Sequence, residues 1–393
     1  MTHKENRLTL TFLLALSFLI QMIAGIVGIS VPLYAKYLGA TPSLLGIIGA
    51  VGGLMYTFMP FFFGFFLEGL RRKILISASE LLYGFSCVFY AVAKDPLMLI
   101  PVKALEWCSI ALFWPQVEAS LAEVSGGKID ETLKKFNLSW GSASIIGPMI
   151  GGLLVNALSA ELSISFLSLS IILFMFSFLS IVAIKEETEK MKGVHGEEKR
   201  GKDDDGGSVA AAVIVILLFS FIGGIIFNLF PAYAVDLGIS ASEVGLMMLF
   251  NGLFRLVAFL EAYRVKSRIG EENTFLSGSL MLALSSILVA TSHTTPLLSI
   301  SLSIMGFGSG ILYAASISIM LKNWSHSRSY SAGIFESLIG LGYFLGSLIG
   351  GLAAEYVSNA PYFLGFLISL AAIPALIFRH RTEKTLSNKF LEL

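Results

Sequence analysis

Residues 185–208 read KEETEKMKGVHGEEKRGKDDDGGS. The stretch is dense in both signs of charge and ends in small residues, so it cannot bury enough apolar surface to pack and reads as a solvated linker. On both sides of it the chain is apolar. A bilayer-spanning helix needs about 20 mostly apolar residues. Six such runs precede the linker, at 9–36, 43–66, 74–93, 97–121, 136–157 and 163–184. Six more follow it, at 209–234, 243–263, 274–292, 297–320, 332–353 and 361–378. The first run is too long for a signal-peptide core and lacks a small-residue cleavage site. The expected fold is therefore an all-α integral membrane protein of twelve transmembrane helices. It divides into an N-terminal six-helix bundle (1–184), a cytoplasmic charged linker (185–208) and a C-terminal six-helix bundle with a short tail (209–393).

Composition agrees with a lipid environment. Of 393 residues, 55% are hydrophobic and only 14% charged, against about 25% charged in soluble domains. A soluble protein could not hide that much apolar surface. The formal net charge of zero argues against a nucleic-acid surface. Cys87 and Cys108 both lie in apolar runs and read as small core residues. His3, His195, His293, His326 and His380 lie at chain ends or in polar segments. No HExxH, CxxC or GxxxxGK[ST] pattern occurs, so no metal, haem, other cofactor or nucleotide site is expected.

Charge sets the orientation. If the twelve spans alternate from a cytoplasmic N-terminus, only Lys36 and Lys94 of the 27 Lys and Arg fall outside, and only Lys103 and Arg255 fall within spans. That asymmetry is the positive-inside pattern, and it places both termini in the cytoplasm of a plasma-membrane protein.

The two halves also repeat. Pro32, Tyr34, Leu38, Gly39 and Gly46 recur 199 residues on as Pro231, Tyr233, Leu237, Gly238 and Gly245. Phe136, Gly147, Gly151 and Gly152 recur at the same offset as Phe335, Gly346, Gly350 and Gly351. Six-helix halves repeated in parallel are one of the transporter architectures built from internal repeats.

Between the second and third runs stand Gly64, Glu68, Arg71, Arg72 and Lys73, and the second half supplies Arg268 and Gly270 in the corresponding place. The fifth run holds Gly141 and then Gly147-Pro148-Met149-Ile150-Gly151-Gly152. The fourth holds Lys103, Glu106 and Trp107. On these motifs the chain resembles the major facilitator superfamily, in its twelve-helix drug:proton antiporter-like branch. The first motif resembles G-x-x-x-D-R-x-G-R-R, with Gly69 where the family has Arg and Arg71 where it has Gly. The second resembles G-P-x-x-G-G, associated with exporters. The third resembles R-x-x-Q-G, with Lys103, Glu106 and Trp107 in the Arg, Gln and Gly places. The resemblance implies a conformational gate at Gly64, Glu68, Arg71, Arg72 and Arg268, and a half-to-half hinge surface at Gly141, Gly147, Pro148, Gly151 and Gly152. It also implies that helices 1, 4, 7 and 10 line a central cavity, which places Tyr34, Trp107, Trp114, Tyr233 and Tyr313 on cavity helices.

An ionisable group in lipid costs at least about 2.5–3.5 kcal/mol and marks a pathway. The candidates are Glu80, Lys103, Glu106, Arg255 and Glu336, while Glu118 and Glu261 lie near span ends. Lys103 and Glu106 share a helix face beside Trp107; they either neutralise each other or form a cavity ion pair that opens on binding. Arg255 has no acid one turn away, so its partner must come from another helix, with Glu336 the first candidate. Glu336 also suits a brace at the gate, and its repeat counterpart is Asn137. The expected function is secondary active transport of a small molecule by alternating access, as a monomer: proton-coupled export of a hydrophobic or amphipathic compound, not an enzymatic reaction. The expected proton carriers are Glu106 and Glu336. The alternatives are a proton symporter or uniporter for a sugar or organic acid, and a non-transporting sensor or scaffold on the same fold.

Overall fold

The computed structural model describes residues 3–67, 70–125, 129–158, 161–185, 206–323 and 328–391. Among them every regular element is a helix. The first bundle comprises α1 (His3–Tyr37), α2 (Pro42–Phe66), α3 (Arg72–Val92), α4 (Leu99–Val124), α5 (Ile129–Leu158) and α6 (Leu162–Ala183). The second comprises α7 (Gly206–Asn228), α8 (Phe230–Asp236), α9 (Ala241–Thr291), α10 (Thr295–Asn323), α11 (Arg328–Tyr356) and α12 (Ala360–Leu391). Most of the charged stretch, residues 186–205, lies outside the described residues, as do Glu68 and Gly69 of the first motif.

Eleven of these helices are long and apolar enough to cross a bilayer, and twelve crossings result because α9 makes two. A straight helix of 51 residues would run about 75 Å, more than twice a bilayer core. The chain reverses at Gly270, whose φ of 80° and ψ of 169° are inaccessible to a residue with a side chain except at the cost of strain. The sequence reading placed a polar segment between the eighth and ninth runs; the structure keeps the flanking backbone helical and compresses the turn onto this glycine. The seventh crossing is divided the other way. α7 stops at Asn228 and α8 resumes at Phe230, whereas the repeat mate of Pro231, Pro32, lies inside the unbroken α1.

The 199-residue repeat becomes a symmetry of contacts. Gly39 and Gly238 both end a helix in the left-handed region, with φ of 89° and 82°. Each cap is closed by the next residue's N–H, from Ala40 to Ala35 O and from Ile239 to Ala234 O. Within the bundles, Gly147 of α5 lies on the Met22 carbonyl of α1, and Gly346 of α11 lies on the Phe221 carbonyl of α7, the same pair moved by one repeat. Between the bundles, α2 packs on α11 and α5 on α9. Among the close approaches there are Gly46 against Gly351 and Gly245 against Gly152, which the offset also exchanges. Small residues let these backbones approach without clash.

At the end away from the basic loops, Lys36 of α1 forms an ion pair with Asp236 and donates to Ala232 O at 3.0 Å. Beside it the Ser43 N–H and hydroxyl donate to Glu355 Oε2 at 3.0 and 2.7 Å. These contacts bind one bundle to the other at that end.

Candidate functional site

Between the bundles, side chains of α2 and α4 come together with side chains of α7, α9, α10 and α11 in a partly exposed region, the central gap. Four rings form a continuous wall: Tyr56 lies 5.4 Å from Trp107, Trp107 lies 6.3 Å from Tyr343, and Tyr343 lies 6.2 Å from Phe227, centroid to centroid. Glycines make room for the two central rings. A Cβ on Gly52 of α2 would come within 2.7 Å of the Trp107 indole nitrogen, and one on Gly223 of α7 within 3.1 Å of the Tyr343 ring. Tyr313 of α10 extends the aromatic surface through Phe219, Phe259 and Phe335. Tyr56, Trp107, Arg255, Tyr313, Glu336 and Tyr343 all retain partial solvent exposure although they lie between two six-helix bundles.

Arg255 stands in the gap on α9. It donates to Asn251 Oδ1 at 2.7 Å, and its guanidinium carbon lies 5.3 Å from the Phe227 ring centre, within cation–π range. Asn251 is itself fixed, because its amide donates to Leu302 O of α10 at 2.9 Å. Two glycines of α10 permit that closeness: Gly306 lies on the Asn251 backbone and Gly310 on that of Arg255. The expected pairing of Arg255 with Glu336 does not form. Glu336 accepts a hydrogen bond from Tyr56 Oη at 3.1 Å, and Tyr343 lies near both groups. Each group instead meets a neutral partner, Arg255 the Asn251 amide one turn before it and Glu336 the Tyr56 phenol of the other bundle. Glu118, exposed on α4, lies near Glu336, Tyr56 and Tyr313.

Lys103 and Glu106 do pair, but inside the first bundle. Their side chains are 4% and 3% exposed, with Nζ 3.0 Å from Oε2. Tyr90 of α3 donates to the same oxygen at 2.6 Å, so the carboxylate is fully engaged. Trp107, one turn on, carries Lys103 Nζ 5.8 Å from its ring centre and faces the gap. Glu80 is buried elsewhere in this bundle, under a bond from Ser180 at 3.0 Å. It borders a void, lined also by Tyr83 and Ser109, too narrow to admit water.

Other candidates sit outside the gap. Asn137 is exposed on α5 and accepts from Trp140 Nε1 at 3.1 Å; repeat equivalence fixes its depth but not the helix face it shares with Glu336. Of the five cavity-helix aromatics, only Trp107 and Tyr313 reach the gap. Tyr34 donates to Ala93 O, Trp114 packs on Phe113 and Phe136, and Tyr233 packs on Tyr362. Arg71 and Arg268 are exposed, Arg72 pairs with Glu123 of its own bundle, and Gly64 lies in the last turn of α2. Within the glycine motif, Gly147 and Gly151 bear on α1, Pro148 bears on both α1 and α9, Gly152 bears on α9 of the other bundle, and Gly141 has Leu256 of α9 at 3.6 Å. Tyr56, Tyr343 and Phe227 were missed from sequence. The available signal for Tyr343 was a large aromatic inside the small-residue stripe Gly340, Gly342, Gly346.

Comparison with known proteins bears on this geometry. The sequence profile described as Major Facilitator Superfamily matches residues 13–211 and 211–392. The chain is 22% identical over 367 residues to an MFS-type transporter of Methanocaldococcus jannaschii, covering 90% of each. It is 24% identical over 378 residues to quinolone resistance protein NorA of Staphylococcus aureus, covering 93% of this chain and 95% of NorA. It is 22% identical over 369 residues to multidrug resistance protein 1 of Bacillus subtilis, covering 92% and 93%. Among solved structures, the nucleoside transporter NupG superposes with a TM-score of 0.76 at 16% identity, over 94% of this chain and 99% of that one. A bacterial homologue of the lysosomal transporter Spinster, in its inward-facing form, gives 0.75 at 11% identity, over 98% and 97%.

Proposed function

The chain belongs to the major facilitator superfamily, and from that premise we propose that it exports an amphipathic small molecule across the plasma membrane in exchange for protons. The basic loops would face the cytoplasm, with both termini on that side. The single observation that carries the reading is the hydrogen bond from Tyr56 of one bundle to Glu336 of the other, in a solvent-reached gap. NorA and multidrug resistance protein 1, similar over nearly their whole lengths and named for drug resistance, support the direction.

Alternating access requires the halves to rock about the central gap. A phenol donating to a carboxylate is a charge-assisted bond, about twice as strong as one to a neutral acid. With Glu336 ionised, that bond holds α2 to α11 in the observed arrangement. A proton on Glu336 weakens it. A substrate seated among Tyr56, Trp107 and Tyr343 competes for the same hydroxyl. Either ligand alone frees the halves, while the empty ionised state stays held, which is the rule an exchanger needs. Glu106 is the weaker proton carrier, since Lys103 and Tyr90 already neutralise and satisfy it.

The test is gradient-driven transport in proteoliposomes with an imposed pH difference. Glu336→Gln keeps size and hydrogen bonding but cannot ionise, so it should abolish gradient-driven accumulation while exchange without a gradient survives. Full gradient-driven transport by this variant would remove Glu336 as the coupling acid.

A further inference from the structure

The gap holds a permanent cation that the protein does not neutralise. Arg255 stays charged at all working pH values, yet of its five donors only one has a hydrogen-bond acceptor, the neutral amide oxygen of Asn251. Its Nε is shielded from solvent with no partner. Among the described residues no carboxylate lies within ion-pair distance of it; the acid of the gap, Glu336, is engaged by Tyr56. The side chain is nonetheless held in place, by Asn251 anchored on Leu302 O and by the Phe227 face. A fixed guanidinium with most of its donors unused is a planar fork suited to a carboxylate or similar anion. Beside it runs the aromatic wall of Phe227, Tyr343, Trp107 and Tyr56.

We infer that the gap selects amphipathic compounds with an anionic group on an aromatic body, the anion on Arg255 and the ring against Trp107 and Tyr343. This rests on reading the gap as the transport site, but not on proton coupling. The ligand supplies the counter-charge the fold omits, and the ring buries apolar area that an aliphatic anion of equal charge would not. Asn251 is a positioning residue, since it acts by holding Arg255.

The experiment uses the full-length protein in detergent and three probes of one ring system: 2-naphthoate, 2-naphthalenemethanol and 2-naphthylmethylammonium. Titration calorimetry at neutral pH should rank 2-naphthoate about tenfold or more above the alcohol, the scale of a charge-assisted hydrogen bond. Arg255→Gln should bring the two within about twofold, while Arg255→Lys retains part of the preference. Circular dichroism and gel filtration check that the variants fold; if Arg255→Gln does not, the wild-type ranking still decides. Tighter binding of the ammonium probe, or a naphthoate preference that survives in folded Arg255→Gln, overturns the inference. Equal binding of all three overturns the anion preference but leaves the aromatic gap as a binding site. Binding of none overturns both. Proton coupling stands or falls separately, on Glu336→Gln.

Discussion

Substituting Gly46 by alanine tests how the halves close. A Cβ at Gly46 would lie 2.6 Å from both the Gly351 Cα and the Ser347 carbonyl oxygen. Both are backbone atoms of α11 and cannot rotate away, so α2 and α11 must part by roughly 1 Å to restore ordinary contact. Overpacking of this kind costs about 1–3 kcal/mol. The cost falls only on the conformation in which these helices touch. The equilibrium should therefore shift about 5- to 150-fold toward the arrangement open at the end away from the basic loops. The assay is the rate at which an impermeant thiol reagent, added from that end, labels Asn228→Cys in a background of Cys87→Ser and Cys108→Ser. Asn228 lies against Gly49 across the half-to-half seam and is shielded while the seam is closed. Gly46→Ala should raise the labelling rate. Gly245→Ala, its repeat mate, should do the same, since its Cβ would meet Pro148 O at 2.9 Å and Gly152 Cα at 3.1 Å. Gly28→Ala has nothing within 4 Å and should leave the rate unchanged. An unaltered rate in Gly46→Ala, or an equal rise in Gly28→Ala, would refute the reasoning.

Lys103→Met alone should strand Glu106 as an uncompensated buried charge and lower thermal stability in detergent by about 3–5 kcal/mol, whereas Lys103→Met with Glu106→Gln should recover most of it. A double variant no more stable than the single one would show that the pair is not the reason for the loss. For topology, cysteines replacing Lys384 and Ser358 in the Cys-free background should label from the cytoplasm and from outside respectively. The reverse pattern in sealed cells would invert the orientation argued from the basic loops.

Several features of the fold were legible in one dimension because the bilayer enforces them locally. Twelve apolar runs and an asymmetric set of Lys and Arg follow from the cost of placing polar groups in hydrocarbon, which each segment meets by itself. The repeat was also legible. Gly39 and Gly238 are identical because both cap a helix with positive φ, and Gly46 and Gly245 because both sit where two helices touch. The turn at Gly270 was only half visible. The R-x-G of the motif marked its place, but not that helix would continue up to the glycine on both sides.

The site divides along the same line. Sequence alone determined that Lys103, Glu106, Arg255 and Glu336 lie within the membrane, since burial depth depends only on position along a span. It also determined the Lys103–Glu106 pair, because residues three apart on one helix meet whatever surrounds them. Only the tertiary structure decided that Glu336 meets Tyr56 and that Arg255 meets Asn251 and Phe227. Those contacts depend on the rotation of each helix about its axis and on the offset between helices. Rotation and offset are set by the packing of small residues such as Gly306 and Gly310 against neighbouring backbone, a property of two surfaces together that no single run of sequence carries.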